Sequence, residues 1–77
     1  MEKIILDTLL EIRPEGEFLK SENFILDGLL DSFDMVILVS DLDKKFHISI
    51  EGIDIVVNNF TNIKSIKTLI SNYVQSK

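Results

Sequence analysis

Apolar residues recur at the spacing of an α-helix in three separate segments of this 77-residue chain. In the first segment, Ile5, Leu9 and Ile12 lie at positions i, i+4 and i+7. Pro14 is expected to end that helix, because proline disfavours helical backbone in the residue before it. The last segment, which Asn62 is expected to cap, carries a stripe formed by Ile63, Ile66, Leu69, Ile70, Tyr73 and Val74. This periodicity predicts an all-α fold, with residues 75–77 fraying at its end.

The middle helix is expected to begin at Ser32, with either Asp31 or Ser32 as its capping residue. Asp34 then falls in the first turn and Lys44 and Lys45 fall in the last, which suits the helix dipole at both ends. Eight apolar residues are more than one buried face needs, so some of them are expected at the surface. They are Phe33, Met35, Val36, Ile37, Leu38, Val39, Leu42 and Phe46.

The two connections between these helices differ in pattern. Residues 13–31 show no long periodic stretch but are rich in apolar side chains, which predicts an ordered loop containing at most one short helical turn. Phe46, Ile48 and Ile50 alternate with polar residues, yet no second strand is available to pair with them. We therefore expect an extended connection followed by a short helix from Ile53 to Asn58. The predicted architecture is a small bundle of three main helices plus one short helix.

Composition excludes several classes of function. The chain has 13 acidic and 8 basic residues, and a net charge of −5 does not favour nucleic acid as a partner. It has no cysteine and one histidine, which excludes a disulfide framework and leaves no expected metal site. No apolar run approaches the roughly 20 residues of a membrane span, and the amino terminus lacks a signal-peptide pattern. We expect one cytoplasmic domain over residues 1–77, monomeric and not membrane-embedded.

The most informative motif is Asp31-Ser32-Phe33-Asp34 at the start of the middle helix. Alone, an Asp-Ser pair at a helix start is an ordinary N-cap. Here it follows a long loop, opens a very apolar helix and lies in the middle of a small acidic helical domain. In this context the motif closely resembles the phosphopantetheine-attachment site of the acyl carrier protein family, and the resemblance extends over nearly the whole chain.

The resemblance implies that Ser32 carries a covalent 4′-phosphopantetheine arm derived from coenzyme A, with Asp31 as a motif residue. The arm would hold an acyl or aminoacyl group as a thioester and present it to other enzymes. The implied partners are a phosphopantetheinyl transferase, an adenylating acyl or aminoacyl ligase, and downstream acyl-transferring enzymes. The chain itself is not expected to be an enzyme, since no acid and base are paired at a useful spacing.

Departures from the fatty-acid-synthesis carriers bear on the pathway. Leu29 and Leu30 precede the motif where a small residue is usual, and Ile37 stands where a glutamate is typical. These features are more similar to stand-alone D-alanyl, peptidyl or polyketide carriers. Two alternatives stay open: a fatty-acid-synthesis carrier, and an unmodified helical interaction domain with the same fold.

This interpretation predicts a docking surface on the middle helix and a core shared by all three helices. The docking surface for partners is predicted to include Phe33, Asp34, Met35, Val36 and Ile37. For Phe33, packing against the loop residues Phe24, Leu26 and Leu29 is an equal alternative. The core of the bundle is predicted to include Leu9, Leu38, Leu42, Phe46, Ile66, Leu69 and Ile70.

Overall fold

The computed structural model describes residues 1–75 and contains three α-helices with no β-strand in that range. They are α1 (Glu2–Ile12), α2 (Ser32–Phe46) and α3 (Ile63–Gln75), and α1 packs against both of the others. Single 3₁₀ turns occur at Phe18–Lys20, Gly52–Asp54 and Val57–Asn59. The predicted all-α bundle with a long ordered loop is confirmed. The sequence predicts that residues 75–77 fray. Gln75 is the last helical residue of α3, and residues 76–77 lie outside the described part of the chain.

The end of α1 follows from the proline after it. Arg13 has φ −132° and ψ 83°, outside the helical region, because Pro14 excludes helical backbone at this position. The Arg13 amide still donates to Leu9 O at 2.9 Å, which closes the last turn. Arg13 therefore leaves the helix axis, and its side chain is free to reach another element.

The core is formed by one face of each helix together with loop residues. Fifteen apolar residues are buried: Ile5, Leu9, Phe18, Phe24, Leu30, Met35, Leu38, Val39, Leu42, Ile48, Ile50, Phe60, Ile66, Leu69 and Ile70. Phe46 is only partly buried but packs against this cluster, so every predicted core position contributes. Val74, at the end of the predicted α3 stripe, is instead 41% exposed, because it lies in the last turn of the helix.

Contacts within the long loop, and one with the segment before α3, hold the loop in place. The rings of Phe18 and Phe24 meet edge to face, with centroids 5.1 Å apart. The Asn23 side chain accepts from the amides of Ile25 and Leu26 at 3.1 and 3.0 Å, and the Phe24 amide donates to Thr61 O at 2.6 Å. These contacts fix the chain that leads into α2, and they bear out the expectation of an ordered loop pinned by apolar side chains.

The connection from α2 to α3 differs from the prediction in one respect. Ile48 and Ile50 are buried in an extended segment, as expected. The short helix expected from Ile53 to Asn58 is replaced by two 3₁₀ turns separated by Ile55 and Val56, of which Val56 is extended. Four β-branched residues lie in this stretch and have weak helix propensity.

Candidate functional site

Ser32 is the first residue of α2, and its side chain is exposed. The residue that caps the helix is Asp31. Its Oδ1 accepts from the Asp34 amide at 2.8 Å, and the Asp31 amide donates to Asp34 Oδ2 at 3.2 Å, which completes a reciprocal capping box. Among residues 1–75, no hydrogen bond to the Ser32 hydroxyl is found. Because Asp31 takes the capping role, the Ser32 hydroxyl is available for chemistry.

Position at the helix terminus gives Ser32 a favourable electrostatic environment for an anion. The first backbone amides of an α-helix have no acceptor within the helix, and the helix dipole places partial positive charge there. The amides of Ser32 and Phe33 belong to this first turn. A phosphodiester on Ser32 Oγ would lie beside them, which is the geometry in which helix termini stabilise phosphate groups.

Arg13 joins this site from the end of α1. Its Nε and Nη2 donate to Asp34 Oδ2 at 3.0 and 2.6 Å, and Nη2 lies 3.6 Å from Asp31 Oδ2. The Asp34 side chain is only 9% exposed, whereas that of Asp31 is 65% exposed. The hydrogen bonds to Asp34, aided by its negative charge, raise the pKa of Arg13 above its usual value. Arg13 is thus the guanidinium that pairs the buried carboxylate beside Ser32.

Sequence reasoning did not identify Arg13 as part of the site. It lies 21 residues from Asp34 along the chain, so no local spacing links the two. The available signal was weak: a single arginine next to the proline that ends a helix, in a chain where acidic residues are in excess.

The predicted docking residues divide into two groups. Asp34 and Met35 are buried, at 6% exposure each, because Asp34 faces Arg13 and Met35 belongs to the core. Both are therefore removed from the predicted docking surface. Phe33 is 73% exposed, Val36 61% and Ile37 36%. These three lie at i, i+3 and i+4 and share one side of α2. We call them the apolar face of α2.

The alternative placement of Phe33, packed against the loop, is not what the structure shows. Phe24 is fully buried within the core, and Leu26 is itself 83% exposed. Leu29 is partly buried and packs against the core cluster. With most of its ring surface open to solvent, Phe33 remains available to a partner.

No group of histidine, cysteine and acidic side chains within residues 1–75 is arranged to hold a metal ion. None of the helices in that range has the length and apolar character needed to cross a bilayer. An open depression of about 830 Å³ is lined by residues of α1, the long loop and the start of α3, and Ser32 does not line it.

No protein-family model matches this chain, and comparisons with curated proteins and with solved structures return no match.

Proposed function

We propose that this protein is a carrier that holds an acyl or aminoacyl group as a thioester on a 4′-phosphopantetheine arm attached to Ser32. The observation that carries the proposal is the geometry of the α2 terminus. An exposed serine occupies the first helical position, and its hydroxyl is uncommitted because Asp31 supplies the cap. The Asp31-Ser32-Phe33-Asp34 motif and its resemblance to acyl carrier proteins give this hydroxyl a specific use.

Attachment of the arm is a phosphoryl-group transfer for which Ser32 supplies the nucleophile. Ser32 Oγ forms a bond to the phosphorus that bears the pantetheine group of coenzyme A. The bond from that phosphorus to the bridging oxygen breaks, and adenosine 3′,5′-bisphosphate leaves with the electron pair. The transferase accepts the hydroxyl proton. The carrier contributes an exposed acceptor, and its helix terminus favours the negative charge of the resulting phosphodiester.

The apolar face of α2 supports the choice of pathway. Carriers that serve fatty-acid enzymes typically present glutamates along this helix, whereas Phe33, Val36 and Ile37 present an apolar surface. We therefore place the protein in a specialised pathway, such as non-ribosomal peptide, polyketide or D-alanyl transfer. The partners are a phosphopantetheinyl transferase, an adenylating ligase and downstream acyl-transferring enzymes.

A fatty-acid-synthesis carrier is the second candidate, and the net charge of −5 is the observation that favours it. An acidic surface suits enzymes that dock carriers through basic patches. Loading assays with the two classes of enzyme separate these pathways, since each class is expected to thioesterify only the carrier it recognises.

The decisive experiment for a carrier is intact-mass measurement after incubation with coenzyme A and a broad-specificity phosphopantetheinyl transferase. The wild-type chain is expected to gain one phosphopantetheine unit, and Ser32→Ala is expected to gain none. Ser40→Ala is the matched control, because Ser40 is an exposed serine in the middle of the same helix. A wild-type chain that gains no mass would instead favour an unmodified interaction domain.

A further inference from the structure

We propose that Arg13 is a positioning residue for the modification of Ser32. Its guanidinium holds the first turn of α2 through Asp34 and offsets the carboxylates on both sides of the serine, so that the anionic coenzyme A donor can approach. The inference rests on the proposed function and adds a residue from α1 that the Asp-Ser motif does not contain.

Arg13 and the cap of α2 meet at a single carboxylate oxygen of Asp34. Asp34 Oδ2 accepts three hydrogen bonds: two from Arg13 and one from the Asp31 amide. The same oxygen therefore anchors both the guanidinium and the cap of α2. Ser32 lies between Asp31 and Asp34 in this turn, so the orientation of the turn sets the direction in which the serine is presented. Two donors from a planar guanidinium fix that orientation better than one contact would.

Arg13 also offsets the negative charge on both sides of the serine. The pyrophosphate of coenzyme A is anionic, and it must come close to Ser32 Oγ, which two carboxylates flank in sequence. Like charges in such proximity repel each other, and the repulsion is strong where solvent is excluded between carrier and transferase. Arg13 Nη2 lies 2.6 Å from Asp34 Oδ2 and 3.6 Å from Asp31 Oδ2, so one cation offsets both. Without it, the acceptor hydroxyl would sit in a negative local field.

The test measures kcat/KM for phosphopantetheine attachment at low and at high ionic strength. For Arg13→Gln we expect a loss of about tenfold at low salt, as for removal of a charge-assisted contact. The loss of kcat/KM should be smaller at high salt, because ions screen the exposed part of the repulsion. A loss that came only from a loosened helix would be the same at both ionic strengths. Arg13→Lys keeps the positive charge but not the two donors of the planar guanidinium. Its kcat/KM should lie between those of the wild type and Arg13→Gln.

A matched control removes the same charge elsewhere. Lys67 also pairs across helices, with its Nζ 2.9 Å from Glu2 Oε1, and both members of that pair are largely exposed. Lys67→Gln lowers the net charge by one, as Arg13→Gln does, and is expected to leave kcat/KM unchanged. Equal losses in the two variants would show a general charge effect and overturn the assignment to Arg13.

Loss of Arg13 leaves a buried carboxylate unpaired, so Arg13→Gln alone is open to misfolding. The double variant Arg13→Gln/Asp34→Asn avoids this, because an amide oxygen at 34 can still accept from the Asp31 amide. We expect it to fold, by circular dichroism, and to recover only part of the rate, because the charge beside Ser32 returns to its wild-type value but no guanidinium holds the first turn of α2. Full recovery of the rate in the double variant would show that Arg13 does not position the serine and would overturn the proposal. Absence of modification in the wild-type chain would refute the carrier function itself, which is a separate outcome.

Discussion

The two apolar sides of α2 differ in their burial. Met35, Leu38, Val39 and Leu42 are buried in the core, whereas Phe33, Val36 and Ile37 remain open to solvent. Both sets are large aliphatic or aromatic residues, so hydrophobicity alone does not separate them. One side of α2 belongs to the core cluster, and the other side lies outside it. We propose that the apolar character of the outer side serves contact with a partner.

The largest difference between the two sides should appear in stability. Leu42 is fully buried, so Leu42→Ala is expected to lower the free energy of unfolding by about 2–5 kcal/mol. Val36→Ala, on the open side, is expected to change it by no more than about 0.5 kcal/mol. Chemical denaturation of both variants measures this. Equal midpoints for Leu42→Ala and the wild type would contradict the assignment of the buried side.

A second difference should appear in loading. A glutamate at position 37 would bring a charge into an apolar contact, and an unpaired polar group there costs about 1–3 kcal/mol. Ile37→Glu should therefore fold and accept phosphopantetheine normally but require about tenfold or more adenylating ligase for the same thioester formation. Loading by fatty-acid enzymes is expected to hold or improve. The measurement titrates the holo carrier with each ligase of a panel, supplied with its own substrate and ATP.

Val74→Glu provides the control for that experiment. Val74 is an aliphatic residue of similar exposure, 41% against 36% for Ile37, but it lies on α3. It introduces the same charge on a side of the molecule that is not part of the apolar face. Identical loading curves for Ile37→Glu and wild type would show that the apolar face does not select partners, and would give the fatty-acid pathway equal standing.

The smallest effect concerns the segment between α2 and α3, which also exposes apolar side chains. Tyr73 fastens this segment to α3, because its hydroxyl donates to Asp54 Oδ2 and accepts from the Glu51 amide at 2.9 Å. The hydrogen bond to Asp54 raises the pKa of Tyr73 above its usual value of 10.0. The stabilisation is therefore fully present below about pH 10 and is lost as the pH rises through the folded-state pKa.

We accordingly expect the thermal midpoint of the wild type to fall more steeply above pH 10 than that of Tyr73→Phe, which lacks the titrating hydroxyl. At neutral pH the Phe variant should be slightly less stable. Parallel pH profiles for the two proteins would show that Tyr73 does not hold the segment. A steeper fall in the wild type would show that the exposed apolar residues Ile53, Val56 and Val57 depend on Tyr73 for their position. The apolar face needs no such contact, because it belongs to α2 itself.

The features that the sequence predicted correctly are those set by residues that are close together along the chain. Helical periodicity located all three helices, Pro14 ended α1, and the Asp-Ser pair marked the start of α2. The excess of apolar residues on α2 correctly indicated an exposed set. Each of these signals depends on residues a few positions apart, for which the geometry of the helix is known in advance.

What sequence did not predict depends on contacts between distant segments. The pairing of Arg13 with Asp34, and hence the burial of Asp34, needs the end of α1 to meet the start of α2. Thr8 is buried, and its hydroxyl accepts a hydrogen bond at 2.9 Å from Lys45 Nζ in the last turn of α2. The choice of Asp31 over Ser32 as the cap required the actual backbone path into the helix. That choice matters most, because it leaves the serine free.

The central claim is that Ser32 carries the arm, and intact-mass spectrometry tests it most directly. After incubation with coenzyme A and a broad-specificity transferase, the wild-type protein and Ser40→Ala should each gain one phosphopantetheine unit, while Ser32→Ala gains none. No mass gain in the wild type, or the same gain in Ser32→Ala, would contradict the claim.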